Sequence, residues 1–226
     1  MKLSKETLNI LKNYASINPG IMLKPGTHLM TKSINSVVYA ETTIADEIDF
    51  ELGIYDLNNF LSVLGLLGDD SEISLDLATS IATITNGKSK IYYPAADAST
   101  VISPKKAITF PVADVIFEIA AEDFSKLTRA ARTLSIDTLA VASEDGKIVI
   151  NGYNKTVDNE LNNVLYSFEC AELEGTAEFN FLINMSNMKM ITDDYKVMIS
   201  SKGAIKFEGK TSTYVVVLEI GSKYTA

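Results

Sequence analysis

The amino-acid sequence predicts an α+β protein made of two similar domains, each with two helices packed on antiparallel sheet. Three observations predict it. Most of the 226 residues read as short β-branched and aromatic runs punctuated by turn residues. Only four segments show the 3- and 4-residue spacing of an amphipathic helix. Those four recur as an ordered pair in each half. Lys2 to Leu8 lies over Glu118 to Phe124 at a shift of 116 residues, and the second and fourth helices start at Asp56 and Asn184, a shift of 128. Each of the later pair follows a strand with matching apolar points, Phe50 and Ile54 in one half, Phe179 and Ile183 in the other.

The first helix starts at Ser4, an N-cap residue, and runs to about Ile17, where Pro19-Gly20 stops it. Leu8, Leu11 and Ala15 form its apolar stripe, with Ile10 and Ile17 off the ideal line. His28 falls in a strand leaving the Pro25-Gly26 turn, and Val37 to Ile44 is a further strand. The second helix begins near Asp56 and buries Leu57, Phe60, Leu61 and Leu64. Ile81 to Thr85 and Lys90 to Tyr93 flank Asn86-Gly87 as a hairpin. Ala95 to Lys106 is polar and contains proline, which suits an interdomain connector. The domains are therefore placed at 1–109, with the connector over about 95–109, and 110–226. The third helix spans about Glu122 to Leu134, with Phe124, Leu127, Ala131 and Leu134 facing inward and Glu122 and Asp123 at its positive end. Asp145-Gly146 marks a second hairpin, Asn184 to about Ile191 a short fourth helix with Met185 and Met188 on its core side, and Thr213 to Ile220 a last strand.

Composition removes several functions. The 29 acidic and 20 basic residues leave a net charge of −9, so the surface is not basic all round and any nucleic-acid contact is local. One histidine, His28, and one cysteine, Cys170, are present. A Ser/His/Asp or Cys/His nucleophile would have to use His28, which reads as a structural strand residue. Zinc bound by Cys and His lacks its ligands, and neither a GxxxxGK[ST] loop nor a GxGxxG fingerprint occurs. No metal or cofactor is expected. No apolar run approaches the roughly 20 residues of a membrane span, and Met1 to Glu6 turns polar at once, so the expectation is a protein of a reducing cytoplasm.

The charge distribution is the informative feature. The only arginines, Arg129 and Arg132, lie on the third helix with Lys126, and at roughly 100° per residue all three fall opposite its apolar stripe. On the first helix Lys5, Asn9, Lys12 and Ser16 form a polar stripe away from Leu8, Leu11 and Ala15. A single such helix would simply present charge to water. Two related ones in an acidic chain form a local positive surface suited to phosphates without base reading, since the aromatics do not interleave with the basic residues. Glu41, Asp46, Glu47, Asp49 and Glu51 cluster, as do Asp69, Asp70 and Glu72. Paired carboxylates could hold a metal or serve as acid and base, but the spacing matches no calcium loop, and the favoured reading is a solvated outer face that discourages DNA from binding the wrong side.

Several segments, taken in order, resemble one family: Met1 to Lys5, Ile54 to Asn58, Tyr93 to Asp97, Phe110 to Ala113, Gly146 to Lys155 and Asn180 to Met190. Together they resemble the sliding clamps of T-even-type bacteriophages, from the first residue to near the last; Gly221 to Ala226 depart from the pattern. The resemblance implies a DNA-clamp fold assembled as a homotrimeric ring of six domains, lined by twelve helices and walled by sheets. It implies a non-enzymatic processivity factor in the cytoplasm of an infected bacterial host. Such a ring encircles duplex DNA, tethers the replicative DNA polymerase, is opened and closed by an ATP-driven clamp loader and supports late transcription. On the same basis Lys5, Lys12, Arg129 and Arg132 are expected on the inner, DNA-facing surface, with Lys126 and Lys189 as additions. It also implies an apolar partner-peptide pocket near the domain connector, without fixing its residues. The alternative from the residues alone is a monomeric acidic protein-binding module.

Overall fold

The computed structural model describes residues 1–68 and 70–226. Asp69, grouped above with Asp70 and Glu72, lies outside the described residues. The chain forms two compact units, Met1–Ala107 and Ile108–Ala226.

The first unit contains α1 (Lys5–Ile17), β1 (Ile21–Leu23), β2 (Gly26–Lys32), β3 (Val38–Ile48), β4 (Leu52–Ile54), α2 (Leu57–Leu67), β5 (Glu72–Asp76), β6 (Ile81–Asn86) and β7 (Ser89–Pro94). Pairing is antiparallel throughout: β1 with β4, β2 with β3, and β5–β6–β7 as a meander. α1 lies against α2, β2 and β3. That double cover widens its buried face beyond the expected stripe. Ile10 and Ile17 are buried, together with Thr7, Leu11, Tyr14 and Ala15, while Leu8 is only half-buried at the edge. On α2, Leu57, Phe60 and Leu64 are buried and Leu61 is half-buried. Phe60 meets the Tyr93 ring of β7 edge-on at 5.1 Å, which fastens the helix to the meander. The start of the expected connector is bonded to this unit, through Ala96 N–H to the Gly53 carbonyl at 2.8 Å and the Asn18 amide to the Ile102 carbonyl at 2.8 Å. A Cβ at position 53 would come within 2.3 Å of the Ala96 oxygen, so glycine is required at that close approach.

The second unit contains β8 (Val115–Ile119), α3 (Ala121–Thr133), β9 (Thr138–Glu144), β10 (Lys147–Tyr153), β11 (Tyr166–Glu172), β12 (Glu178–Asn184), β13 (Tyr195–Ser200), β14 (Ala204–Glu208), β15 (Thr213–Val217) and β16 (Lys223–Thr225). One sheet runs β11–β10–β9–β12–β16. Across from it β15, β14, β13 and β8 pair antiparallel in that order. The β9–β10 hairpin turns through Asp145 and Gly146 at φ 48° and 75°, the left-handed pair that a tight two-residue hairpin demands. β15 ends at Val217 rather than Ile220, because Glu219 N–H leaves it to bond the Leu182 carbonyl at 2.8 Å. The terminal residues add β16 to β12, and Tyr224 stacks on Phe181 at 6.1 Å.

Two expectations for this unit are corrected. Leu134 is exposed, because α3 ends before it. Ser135 turns left-handed at φ 54°, and Ile136 N–H bonds the Ala131 carbonyl at 2.8 Å, so Ile136 takes the buried place beneath the helix end. The fourth helix is a single 3₁₀ turn, Met185–Asn187. Asn184 caps it by accepting from Ser186 N–H, but Lys189 N–H bonds the Asn187 carbonyl at 2.9 Å instead of reaching back to Met185, and the helix does not propagate. The described residues therefore hold three α-helices, two in the first unit and one in the second.

α3 is seated by Phe124, which is 1% exposed and packs edge-on against Tyr195 at 5.2 Å and Phe207 at 6.4 Å; Tyr195 in turn meets Tyr214 at 6.3 Å. Phe124→Ala is expected to cost about 3–5 kcal/mol of stability, from lost transfer energy and the cavity left behind. Urea unfolding checks this; a loss under about 1 kcal/mol would show that the aromatic cluster does not seat α3.

Candidate nucleic-acid interface

Once Phe124, Leu127 and Ala131 are buried, helical geometry points Glu122, Lys126, Arg129 and Thr133 the opposite way, with Arg132 beside them. Lys126, Arg129 and Arg132 are all exposed. Arg129 Nε donates to the Ser125 carbonyl at 3.3 Å, which steadies the stem of the side chain along the helix surface. Lys126 Nζ lies 2.8 Å from Glu122 Oε1 and 3.3 Å from Asp123 Oδ1. Those hydrogen bonds hold the Glu122 carboxyl below its usual range and raise the Lys126 ammonium above its own. The face thus runs from acidic at the helix start to basic at its end, the order that also suits the helix dipole.

On α1, Lys5 and Lys12 are both exposed, two turns apart on the face opposite Leu11 and Tyr14. α2 contains no charged residue. Lys189 is half-buried on the irregular segment after the 3₁₀ turn and stands apart from the α3 face in the chain. The structure therefore groups Lys5 with Lys12, and Lys126 with Arg129 and Arg132.

The starts of both charged helices are held by acids distant in the chain, which local sequence did not signal. Ser4 Oγ accepts from Thr7 N–H at 3.2 Å, and Ser4 N–H in turn donates to Asp46 Oδ2 at 2.6 Å. α3 has Ala120 at its N-cap position and no side-chain cap of its own; Asp194 Oδ1 accepts from Ala121 N–H at 2.9 Å, and Lys210 Nζ sits 2.9 Å from Asp194 Oδ2. The Ala121 amide, followed by Lys210, holds the Asp194 carboxyl low. Burial pushes Asp46 up, but hydrogen bonds from Thr7 and Ser4 outweigh it and leave the carboxyl below its usual range.

Two other acids of the Asp46 cluster have local tasks. Asp49 pairs with the N-terminal amino group at 3.0 Å, and Glu41 accepts from Tyr39 at 2.7 Å and lies 3.4 Å from His28, which sits in β2. Among the described residues no group of three His, Cys, Asp or Glu side chains is placed to hold a metal ion. Burial, with Asp123 adding to it, pushes the Cys170 thiol up to about 12, so it stays protonated at neutral pH. Among the described residues no helix is long and apolar enough to cross a membrane.

The architecture is that of DNA clamps. A chain in the structure of the C-terminal region of FEN-1 bound to A. fulgidus PCNA superposes with a TM-score of 0.70, at 14% identity over 98% of both chains. PCNA from Thermococcus kodakaraensis gives 0.65 at 12% identity, over 97% of this chain and 98% of that one. At such identities the likeness shows the fold. Sequence comparison reaches further. Residues 4–103 match the family described as DNA polymerase processivity factor, and residues 116–220 match gp45 sliding clamp, C terminal. The sliding clamps of Escherichia phage RB69 and Enterobacteria phage T4 are each 50% identical over 99% of both chains, and that of Vibrio phage KVP40 is 29% identical over 97% of this chain and 99% of its own. The chain belongs to this family of bacteriophage sliding clamps, the DNA polymerase processivity factors.

Asp46 gives a pH test of the α1 cap. A carboxyl whose folded pKa is lowered stabilises fully above its unfolded value of about 3.9, and that contribution is lost as pH falls through the folded value. Asp46→Asn should melt about 1–3 °C below the parent at pH 7, with the gap closing towards pH 2. A gap that is constant with pH in thermal melts would show that the carboxylate charge has no part in the cap.

Proposed function

We propose that the chain works as a homotrimeric ring that encircles duplex DNA and tethers the replicative polymerase. An ATP-driven clamp loader opens and closes it, it supports late transcription, and it acts without catalysis of its own in the cytoplasm of an infected bacterium. The observation that carries this reading is the 50% identity with two phage sliding clamps over 99% of every chain concerned. The exposed basic faces of α1 and α3 in a chain of net charge −9 support the DNA contact. A ring holds DNA topologically, so a few weak phosphate contacts suffice, and they need no base reading. Lys5, Lys12, Arg129 and Arg132 are the proposed inner-surface residues, with Lys126 and Lys189 as additions. The ring would be lined by three α-helices per chain and the short 3₁₀ turn, rather than the four helices per chain first expected.

Light scattering behind a sizing column should give three times the 24.6 kDa chain mass. Rings loaded on linear DNA should be lost through free ends and retained when the ends are blocked. A monomer at every concentration, with retention indifferent to the ends, would favour the acidic binding module instead. Arg129→Ala and Arg132→Ala should each reduce the slope of log affinity for duplex DNA against log salt by about 1, with the ring intact; an unchanged slope in both removes them from the DNA contact.

A further inference from the structure

Within the α3 face the three cations are not equivalent. Lys126 Nζ is bracketed by two carboxylates, the exposed Glu122 Oε1 at 2.8 Å and the half-buried Asp123 Oδ1 at 3.3 Å, all within one turn. Charge counting over that turn gives two negatives and one positive, so its outward field is acidic although it displays a lysine. Arg129 and Arg132 follow one and two turns later with no acidic residue between Asp123 and Arg132. Arg129 is fastened by its Nε to a backbone carbonyl rather than to a carboxylate. A phosphate approaching Arg129 therefore meets a guanidinium bonded to no carboxylate, with the Glu122 charge acting on it only from a distance, whereas one approaching Lys126 must displace the two carboxylates bonded to it.

We propose that Glu122 and Asp123 sequester Lys126 from DNA phosphates, so that the two arginines make the α3 contact and the acidic first turn limits how tightly the face grips DNA. The proposal rests on the reading of this face as the DNA-facing one. Its chemistry is a competition for a single ammonium. Exchanging an internal carboxylate for a phosphate leaves the carboxylate to gather a solution cation, so the exchange frees no net counterion and adds nothing to the electrostatic drive for binding. For a ring that must slide, this gives a surface that tracks the backbone with few ionic contacts while keeping a charge pattern that suits the helix dipole.

The experiment uses the assembled full-length protein and an end-labelled blunt DNA duplex, read by fluorescence anisotropy across a salt series. Neutralising the two acids together, Glu122→Gln with Asp123→Asn, should tighten binding and steepen the log–log salt slope by about 0.9, the increment of one added phosphate contact. Adding Lys126→Ala to that double variant should abolish the gain. Melting curves and light scattering on each variant separate a weakened helix from a changed contact, since loss of helix lowers affinity and cannot steepen the slope. An unchanged slope in the acid-neutralised variant, while Arg129→Ala still weakens binding, overturns the proposal and leaves the DNA-facing reading in place. A gain in the acid-neutralised variant that survives the added Lys126→Ala overturns it likewise, since the new contact is then not made by Lys126. If the arginine variants also leave binding unchanged, the DNA-facing reading fails and the proposal falls with it.

Discussion

Burial of one aromatic ring governs how the second unit presents charge. Phe124 enters the cluster formed by Tyr195, Phe207 and, through Tyr195, Tyr214, and every residue of α3 then has its direction set by helical geometry. Arg129 and Arg132 face outward because Phe124, Leu127 and Ala131 face inward. No residue outside the helix has to hold the arginines in place. The same logic operates on α1, where Leu11 and Tyr14, both 0% exposed, send Lys5 and Lys12 to the opposite side. On the proposed DNA-facing role this suits weak, unspecific phosphate contacts, because rigid helices place charge without any pocket to shape.

A second constraint is how those helices begin. Amphipathic packing fixes rotation about the helix axis but leaves the first-turn amides needing partners. α1 uses Ser4 within the chain and Asp46 from the end of β3; α3, with alanine at the N-cap, depends on Asp194 just before β13. Asp46, which read as part of a solvated cluster, thus helps fix the start of a basic helix. An excess of acid and a locally basic face are parts of one arrangement.

Much of this was legible in the sequence. α3 could be read closely because Phe124, Leu127 and Ala131 repeat at helical spacing and the acids mark its start, and Asp145-Gly146 announced its hairpin through a backbone conformation few residues adopt. The pairing of Lys126 with Glu122 and Asp123 was also open to reading, since 4- and 3-residue separations on a helix place side chains together. Less legible were the features that depend on what lies alongside. Ile10 and Ile17 sit off a single apolar stripe, yet both are buried on a helix that packs against α2, β2 and β3. Asn184 to Ile191 has helical spacing and a good cap, but one turn is too little to sustain propagation, and Lys189 N–H closes on the nearer carbonyl of Asn187.

By itself the sequence determined the α+β class, the identity of the charged helix faces and the family resemblance. Each of these follows from periodicity or from residues close in the chain. Tertiary structure alone decided that the terminal residues form β16 against β12, and that Asp46 and Asp194 cap helices 42 and 73 residues away from them. Such contacts join groups that no local pattern links. They form because a buried or terminal amide must find an acceptor, and the nearest one is set by how the sheets bring distant strands together.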